Sequence, residues 1–204
     1  MGVSAGHQIR YYCFGVHSRY CRQLIYKLLE KATDPFYGTG FLVNIPHTKK
    51  YCIMTAAHNL KHPDKGNATN IEMKFPNGLV LVASPGEFSL SRIFQESPAT
   101  DKDDESAVSD YGLIFVDREK YQSINGSNLG GCAFSVLYTS SELVRMEVTV
   151  HGYKDGEEHQ TKNTSALSQV KFERLIYPIK TRQGVSGAPV FISRDGVHIA
   201  VGIQ

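Results

Sequence analysis

The sequence predicts an all-β chain, and three observations carry that prediction. Its apolar runs are short and rich in β-branched and aromatic residues, as in Gly112-Leu113-Ile114-Phe115-Val116. Turn signals such as Pro76-Asn77-Gly78 and Pro85-Gly86 punctuate them. No alternation of strand and helix patterns, which a parallel sheet would require, runs along the chain. At 204 residues the chain is long enough for a sizeable core and for one or two compact units.

Taken in order, residues 23–30 fit either a short amphipathic helix or a buried strand by periodicity. Strands are expected over 38–44, 51–55, 70–75, 79–84 and 110–116. The acidic, polar run from Gln95 to Ser109 reads as a solvated loop. After the strand at 110–116 the charged Asp117-Arg118-Glu119-Lys120 and the glycine-rich Gly126 to Gly131 separate two halves. Further strands are expected over 133–138, 145–151, 167–172, 174–178, 188–193 and 197–203. These breaks leave an N-terminal extension over 1–34, a first unit over 35–120 and a second over 130–204.

Composition bounds the function. With 41% hydrophobic and 21% charged residues the chain is of ordinary globular composition. Its net charge is +2 and its one notable basic doublet is Lys49-Lys50, so no clustered basic stripe for nucleic acid is present. No apolar run approaches the length of about 18 residues that a spanning helix needs. Residues 1–22 lack the apolar stretch of a signal peptide, being interrupted by His7, Gln8, Arg10, His17, Arg19 and Arg22, and Gly6 stands where a myristoylation signal wants Ser or Thr. The expectation is an intracellular protein with Cys13, Cys21, Cys52 and Cys132 reduced, secretion being left open. The acceptor motifs at Asn67, Asn125 and Asn163 are short enough to arise by chance and are neutral.

Chemistry concentrates in Thr181-Arg182-Gln183-Gly184-Val185-Ser186-Gly187-Ala188-Pro189, a polar turn running into an apolar strand. A serine hydroxyl needs a base to take its proton and donors to receive the charge on the attacked carbonyl. Backbone N–H groups of Gly184 and Ser186 are candidate donors, and Gly187 lets the chain bend after the serine. A candidate base, His58, ends the apolar strand Tyr51 to Thr55, and a candidate orienting carboxylate, Asp110, stands before the apolar run at 112–116. Asp101, Asp103, Asp104 and Glu105 compete with Asp110, but a loop of like charges holds a carboxylate poorly. His7, His17, His47, His62, His151, His159 and His198 have no comparable setting and are taken as structural. The order His, Asp, Ser separates the chain from an α/β-hydrolase, whose serine comes first and whose elbow carries a second glycine where Ala188 stands here.

Thr55-Ala56-Ala57-His58, Asp110-Tyr111-Gly112-Leu113 and Gly184-Val185-Ser186-Gly187-Ala188-Pro189-Val190 resemble the three catalytic motifs of the chymotrypsin-fold serine proteases. Gly38-Thr39-Gly40-Phe41-Leu42-Val43 resembles the strand before the histidine in that family. His151-Gly152-Tyr153, then Leu175-Ile176-Tyr177 and the serine motif, are most similar to the glutamyl endopeptidase branch. The resemblance spans roughly residues 35 to 204. It implies a strand at residues 23–30 and two six-stranded Greek-key barrels facing each other, with the site in the cleft between them. His58 and Asp110 would come from the first barrel and Ser186 from the second, giving a serine endopeptidase that acts on protein or peptide without metal or cofactor. The alternative is a catalytically silent relative that uses the same surface to bind a partner. The resemblance also implies a further strand and helix after Gln204, so the chain is expected to be one domain of something longer, or trimmed.

Specificity is read from the same resemblance. The pocket for the residue before the scissile bond would be walled by Thr181 and by Gly202-Ile203-Gln204. Thr181 matches a threonine that holds acidic side chains in glutamyl endopeptidases, whereas Gln204 stands where those enzymes place a histidine and cannot become cationic. Lys180 at the pocket floor would restore an acidic preference. No carboxylate occupies the floor, which argues against cleavage after basic residues. Cleavage after polar, neutral or weakly acidic residues is expected, with oligomeric state and activation left open.

Overall fold

The structure, a computed structural model, describes residues 25–30, 37–43, 45, 48–62, 66–69, 71–75, 80–96, 107–117, 119, 132–134, 138–154, 160–171 and 174–204. Strands dominate them, as the sequence predicts. The first half contributes β1 (Ile25–Glu30), β2 (Tyr37–Val43), β3 (Lys50–Thr55), β4 (Lys61–His62), β5 (Gly66–Asn67), β6 (Ile71–Lys74), β7 (Val80–Ala83), β8 (Phe88–Leu90) and β9 (Gly112–Asp117). The second contributes β10 (Ala133–Phe134), β11 (Glu147–Tyr153), β12 (Gln160–Ala166), β13 (Gln169–Lys171), β14 (Arg174–Ile176), β15 (Pro189–Arg194) and β16 (Val197–Ile203). Two short helices, α1 (Arg92–Glu96) and α2 (Ser140–Leu143), complete them. Residues 25–30 are therefore strand, settling the ambiguity of their periodicity.

Where the resemblance implies six strands per half, the described strands form a seven-stranded sheet, β7-β6-β1-β2-β3-β9-β8, and a five-stranded sheet, β10-β16-β15-β11-β12. β13 and β14 pair only with each other, as do β4 and β5. The seventh strand has a simple origin. β7 and β8 are one run of chain bent by the 3₁₀ turn Pro85–Glu87, which a Ser84–Glu87 capping box fixes. Because these two strands end the sheet, its opposite edges are consecutive in the chain.

Burial follows the pleat. In β9, Ile114 and Val116 are buried while Leu113 and Phe115 are half-buried, the period-2 pattern of a sheet with one face on a core. Phe41, Leu42, Ile53, Met73, Phe94 and Ile114 are fully buried in the first core. β15 behaves differently, since Val190 and Ile192 join the second core while Phe191 between them joins the first. Likewise Val148 and Val150 of β11 pack in the second core and Tyr153 in the first. The five-stranded sheet thus lies between the two cores, which is why Pro189-Val190-Phe191-Ile192 reads as an unbroken apolar run. The loop that enters β15 consequently emerges at the junction of the halves.

The polar strand β12 lies in the gap between the strands expected over 145–151 and 167–172, and β13 is confined to 169–171. As the edge of its sheet, β12 pairs only with β11 and needs no apolar faces. The turn at 76–79, most of the acidic loop, the glycine-rich linker and residues 1–24 lie outside the described residues. Among the described residues no helix is long and apolar enough to cross a membrane.

Candidate active site

His58 sits in the 3₁₀ turn Ala57–Asn59 that begins where β3 ends. β3 pairs with β9 in a register that sets Thr55 opposite Gly112, so Asp110, two residues before β9, is delivered beside that turn. The two residues meet twice. His58 Nδ1 lies 2.6 Å from Asp110 Oδ2, and the His58 backbone N–H donates to Asp110 Oδ1 at 2.9 Å. A carboxylate can only accept, so it fixes the proton on Nδ1 and leaves Nε2 as an acceptor in the neutral ring. Both side chains are partly shielded, at 35% and 21% exposure, so the ring can still be reached. Asp101, Asp103, Asp104 and Glu105 lie outside the described residues.

The loop before β15 carries Ser186 between two residues with left-handed backbone, Gly184 at φ 90° and Gly187 at φ 85°. A Cβ on Gly187 would stand 2.2 Å from the Thr39 carbonyl oxygen and 2.2 Å from Thr55 Oγ1, a space only glycine fits. The Val185, Gly187 and Ala188 N–H groups donate to Arg182, Gln204 and Val185 carbonyls, at 3.2, 2.6 and 2.9 Å. Those of Gly184 and Ser186 donate to no backbone carbonyl among the described residues. Among them no hydrogen bond joins His58 to Ser186 either; such contacts commonly tighten only when substrate binds. The two are tied through their neighbours, since Asn59 Nδ2 donates to the Ser186 carbonyl at 2.8 Å and the Thr39 N–H donates to it at 2.8 Å.

That tie belongs to a buried network that sequence inspection misses. Asn59 Nδ2 donates to Thr55 Oγ1 at 2.9 Å, and Thr55 Oγ1 donates to the Thr39 carbonyl at 2.7 Å. Thr39 Oγ1 donates to the Gly184 carbonyl at 2.7 Å and accepts from the Tyr153 N–H at 3.0 Å. Thr39 and Thr55 have no solvent exposure, so each hydroxyl must be paired, and both are. The network pins the serine loop to the histidine turn across the two halves. Threonines in strands are common and unremarkable by type; only their partners, up to 145 positions away, mark these.

Thr181 and Gln204 are brought together beside the serine loop. Gln204 Nε2 donates to Thr181 Oγ1 at 3.4 Å, and Gln204 also accepts from the Tyr177 hydroxyl through Oε1. Tyr177, packed against the second core, was not anticipated as a member of this group. Lys180 is exposed, whereas Leu175, Tyr177 and Ile179 alternate with it toward the core. Burial pushes the Tyr177 phenol from 10.0 up to about 12. Below pH 10 both folded and unfolded chains keep that proton, while above it the unfolded chain releases it first, so stability falls as pH rises from 10 to about 12. Urea titrations between pH 9 and 11.5 should show Tyr177→Phe escaping a loss on the order of 2 kcal/mol that the wild type suffers. Equal slopes in the two proteins would contradict the assignment.

Among the remaining histidines, His198 packs its ring 6.1 Å from that of Phe191 and His62 lies in β4, while His7, His17, His47 and His159 fall outside the described residues. Cys52 and Cys132 are buried thiols on either side of Val43, and Cys13 and Cys21 are not described. Among the described residues no cluster of His, Cys, Asp and Glu could hold a metal ion.

No curated protein matches the sequence. Solved structures do. A thermostable serine protease AL20 from an extremophilic microorganism shares 15% identity at a TM-score of 0.60, over 92% of this chain and 84% of that one. The protease Anisep of Arthrobacter nicotinovorans shares 15% identity at 0.61, over 89% and 81%. An inactivated protease paralogue of the scabies mite shares 11% at 0.59, over 94% and 85%. At such identities these likenesses establish the chymotrypsin-type fold alone. The family profile of the trypsin-like peptidase domain matches residues 38–202, a span holding His58, Asp110 and Ser186, and the chain therefore belongs to the trypsin-like peptidases.

Proposed function

We propose that the chain is an active serine endopeptidase in which Ser186 is the nucleophile, His58 the general base and then acid, and Asp110 the group that orients and stabilises the imidazolium. The observation that carries this reading is the double grip of Asp110 on His58, through ring and backbone, beside a loop that Asn59 ties to the same turn. In the reaction His58 Nε2 takes the Ser186 hydroxyl proton as Oγ attacks the carbonyl carbon, and the tetrahedral oxyanion is received by the Gly184 and Ser186 N–H groups. Protonated His58 then gives its proton to the leaving amine, which departs as the acyl-enzyme forms. Water, deprotonated by His58, cleaves that ester and restores the serine.

The first unit, 35–120, supplies the base and its partner and the second, 130–204, the nucleophile, as in the chymotrypsin-type reading of the sequence. Within this function Thr181 and Gln204 set the preference before the scissile bond toward polar, neutral or weakly acidic residues, not strictly glutamate. Buried, thiol-bearing Cys52 and Cys132 fit an intracellular setting.

A fluorophosphonate probe tests the core of the proposal. It should label the native protein and fail on Ser186→Ala and on His58→Ala. A folded wild type that stays unlabelled would replace this reading with that of a silent, partner-binding relative.

A further inference from the structure

We propose that Tyr177 is a positioning residue that locks the side-chain amide of Gln204, so that the pocket beside Ser186 selects a neutral, carbonyl-bearing side chain, that of glutamine or asparagine, before the scissile bond. This rests on the serine endopeptidase reading and deepens it. Gln204 is placed there by its backbone, since its carbonyl accepts from the Gly187 N–H at 2.6 Å and its own N–H donates to the Ala188 carbonyl at 2.8 Å. Its side chain therefore starts beside the residue that follows the nucleophile.

A glutamine amide has a donor end and an acceptor end of nearly the same shape, and left alone it presents either. Tyr177 biases that choice, because a phenol hydroxyl is a better donor than acceptor, its oxygen lone pair being shared with the ring. Its hydroxyl donates to Gln204 Oε1, which turns Nε2 toward Thr181 Oγ1. The phenol keeps its proton throughout the working pH range, being raised to about 12, so it remains a donor. Two consequences follow for a substrate. The second Nε2 hydrogen stays available, and Thr181, having accepted from Gln204, has its own O–H to give. Both ends ask for an acceptor.

Side chains sort accordingly. A glutamine or asparagine carbonyl satisfies both donors. Lys and Arg, which only donate, meet donors, and an aliphatic side chain leaves both unpaired. A carboxylate accepts as well but arrives charged, and the pocket answers it with neutral groups, because Tyr177 stays protonated and Lys180 and Arg182 are exposed. Exposed cations compensate a desolvated carboxylate weakly. Sites built to hydrogen-bond a substrate group reject analogues lacking it strongly.

The test uses peptides that differ only at the residue before the scissile bond, cleaved by wild type, Tyr177→Phe and Gln204→Glu. Wild type should prefer Gln to Lys and Leu by about 10²-fold in kcat/KM and to Glu by about tenfold. Tyr177→Phe releases the amide, lets Oε1 face the substrate, and should shrink the Gln to Lys ratio about tenfold, whereas a merely structural role would lower every substrate alike. Gln204→Glu keeps the acceptor for Tyr177 but turns an oxygen toward the substrate, and should reverse the preference toward Lys. Fluorophosphonate labelling, which needs no such residue, reports whether each variant retains a folded nucleophile loop, and if Tyr177→Phe fails it, Gln204→Glu decides alone. A labelled wild type that cleaves after Leu or Lys as well as after Gln, or a Gln204→Glu enzyme with unchanged ranking, overturns the proposal and leaves the protease reading standing. An unlabelled wild type overturns both.

Discussion

Asp110→Asn should fold normally and turn over peptide about 10⁴-fold more slowly, the loss expected when the base is held in the wrong tautomer. The geometry says why an uncharged near-isostere fails so badly. Asp110 accepts twice, from the His58 backbone N–H at 2.9 Å and at the ring Nδ1, 2.6 Å away. An asparagine has one acceptor end. If its oxygen keeps the backbone N–H, its NH₂ faces Nδ1, which must then accept, and the ring proton moves to Nε2, where Ser186 needs a base. If the amide flips, a backbone donor beside the site meets another donor. Steady-state kinetics alongside a thermal melt would check this. A kcat within tenfold of wild type would remove Asp110 from the mechanism.

Gly187→Ala should be the most damaging substitution outside the reacting groups. An alanine at φ 85° is strained in any surroundings, and here its Cβ would sit 2.2 Å from two oxygens of the buried threonine network. Strain and overpacking together should cost about 3–5 kcal/mol, a large part of the stability of a domain. That corresponds to a fall in Tm of roughly 10 °C for a chain of this size, with fluorophosphonate labelling lost in whatever remains folded. Gly184 needs different handling. Its φ of 90° strains any side chain, so a loss of turnover in Gly184→Val would report backbone strain as much as a missing oxyanion donor. A melt within a few degrees of wild type for Gly187→Ala would mean that the loop has room to rearrange.

What the sequence reveals and conceals follows from the range of each signal. Strand runs and the three motifs are local, so the all-β class could be read directly and His58, Asp110 and Ser186 could be picked out as candidates. Their supports could not. Thr39, Thr55 and Asn59 are ordinary polar residues whose roles exist only once strands β2 and β3 and the serine loop are in place. Tyr177 is noticed in the sequence only as part of Leu175-Ile176-Tyr177, because nothing in its neighbourhood tells that its hydroxyl ends at Gln204, 27 residues on. β12 was missed for the opposite reason, having strand geometry with no apolar pattern to announce it, as an edge strand allows. The short helices α1 and α2 are single turns, too brief for a 3.6-residue period to register.

The hydrogen bond from Thr39 to Gly184 spans 145 positions, and the loop it steadies is closed from the other side by Gln204. In a growing chain this means that neither half is finished early, because the first core itself is completed by Tyr153, Phe191 and Ala200 from the second half. At about 5–20 residues per second, the stretch from Asp117 to Gln204 takes several seconds or more to make. Until that stretch has emerged and β15 and β16 have docked, the loop of Ser186 lacks the bonds that shape it. A stall or truncation before β16 therefore leaves the loop around Ser186 without the Gln204 carbonyl that closes it.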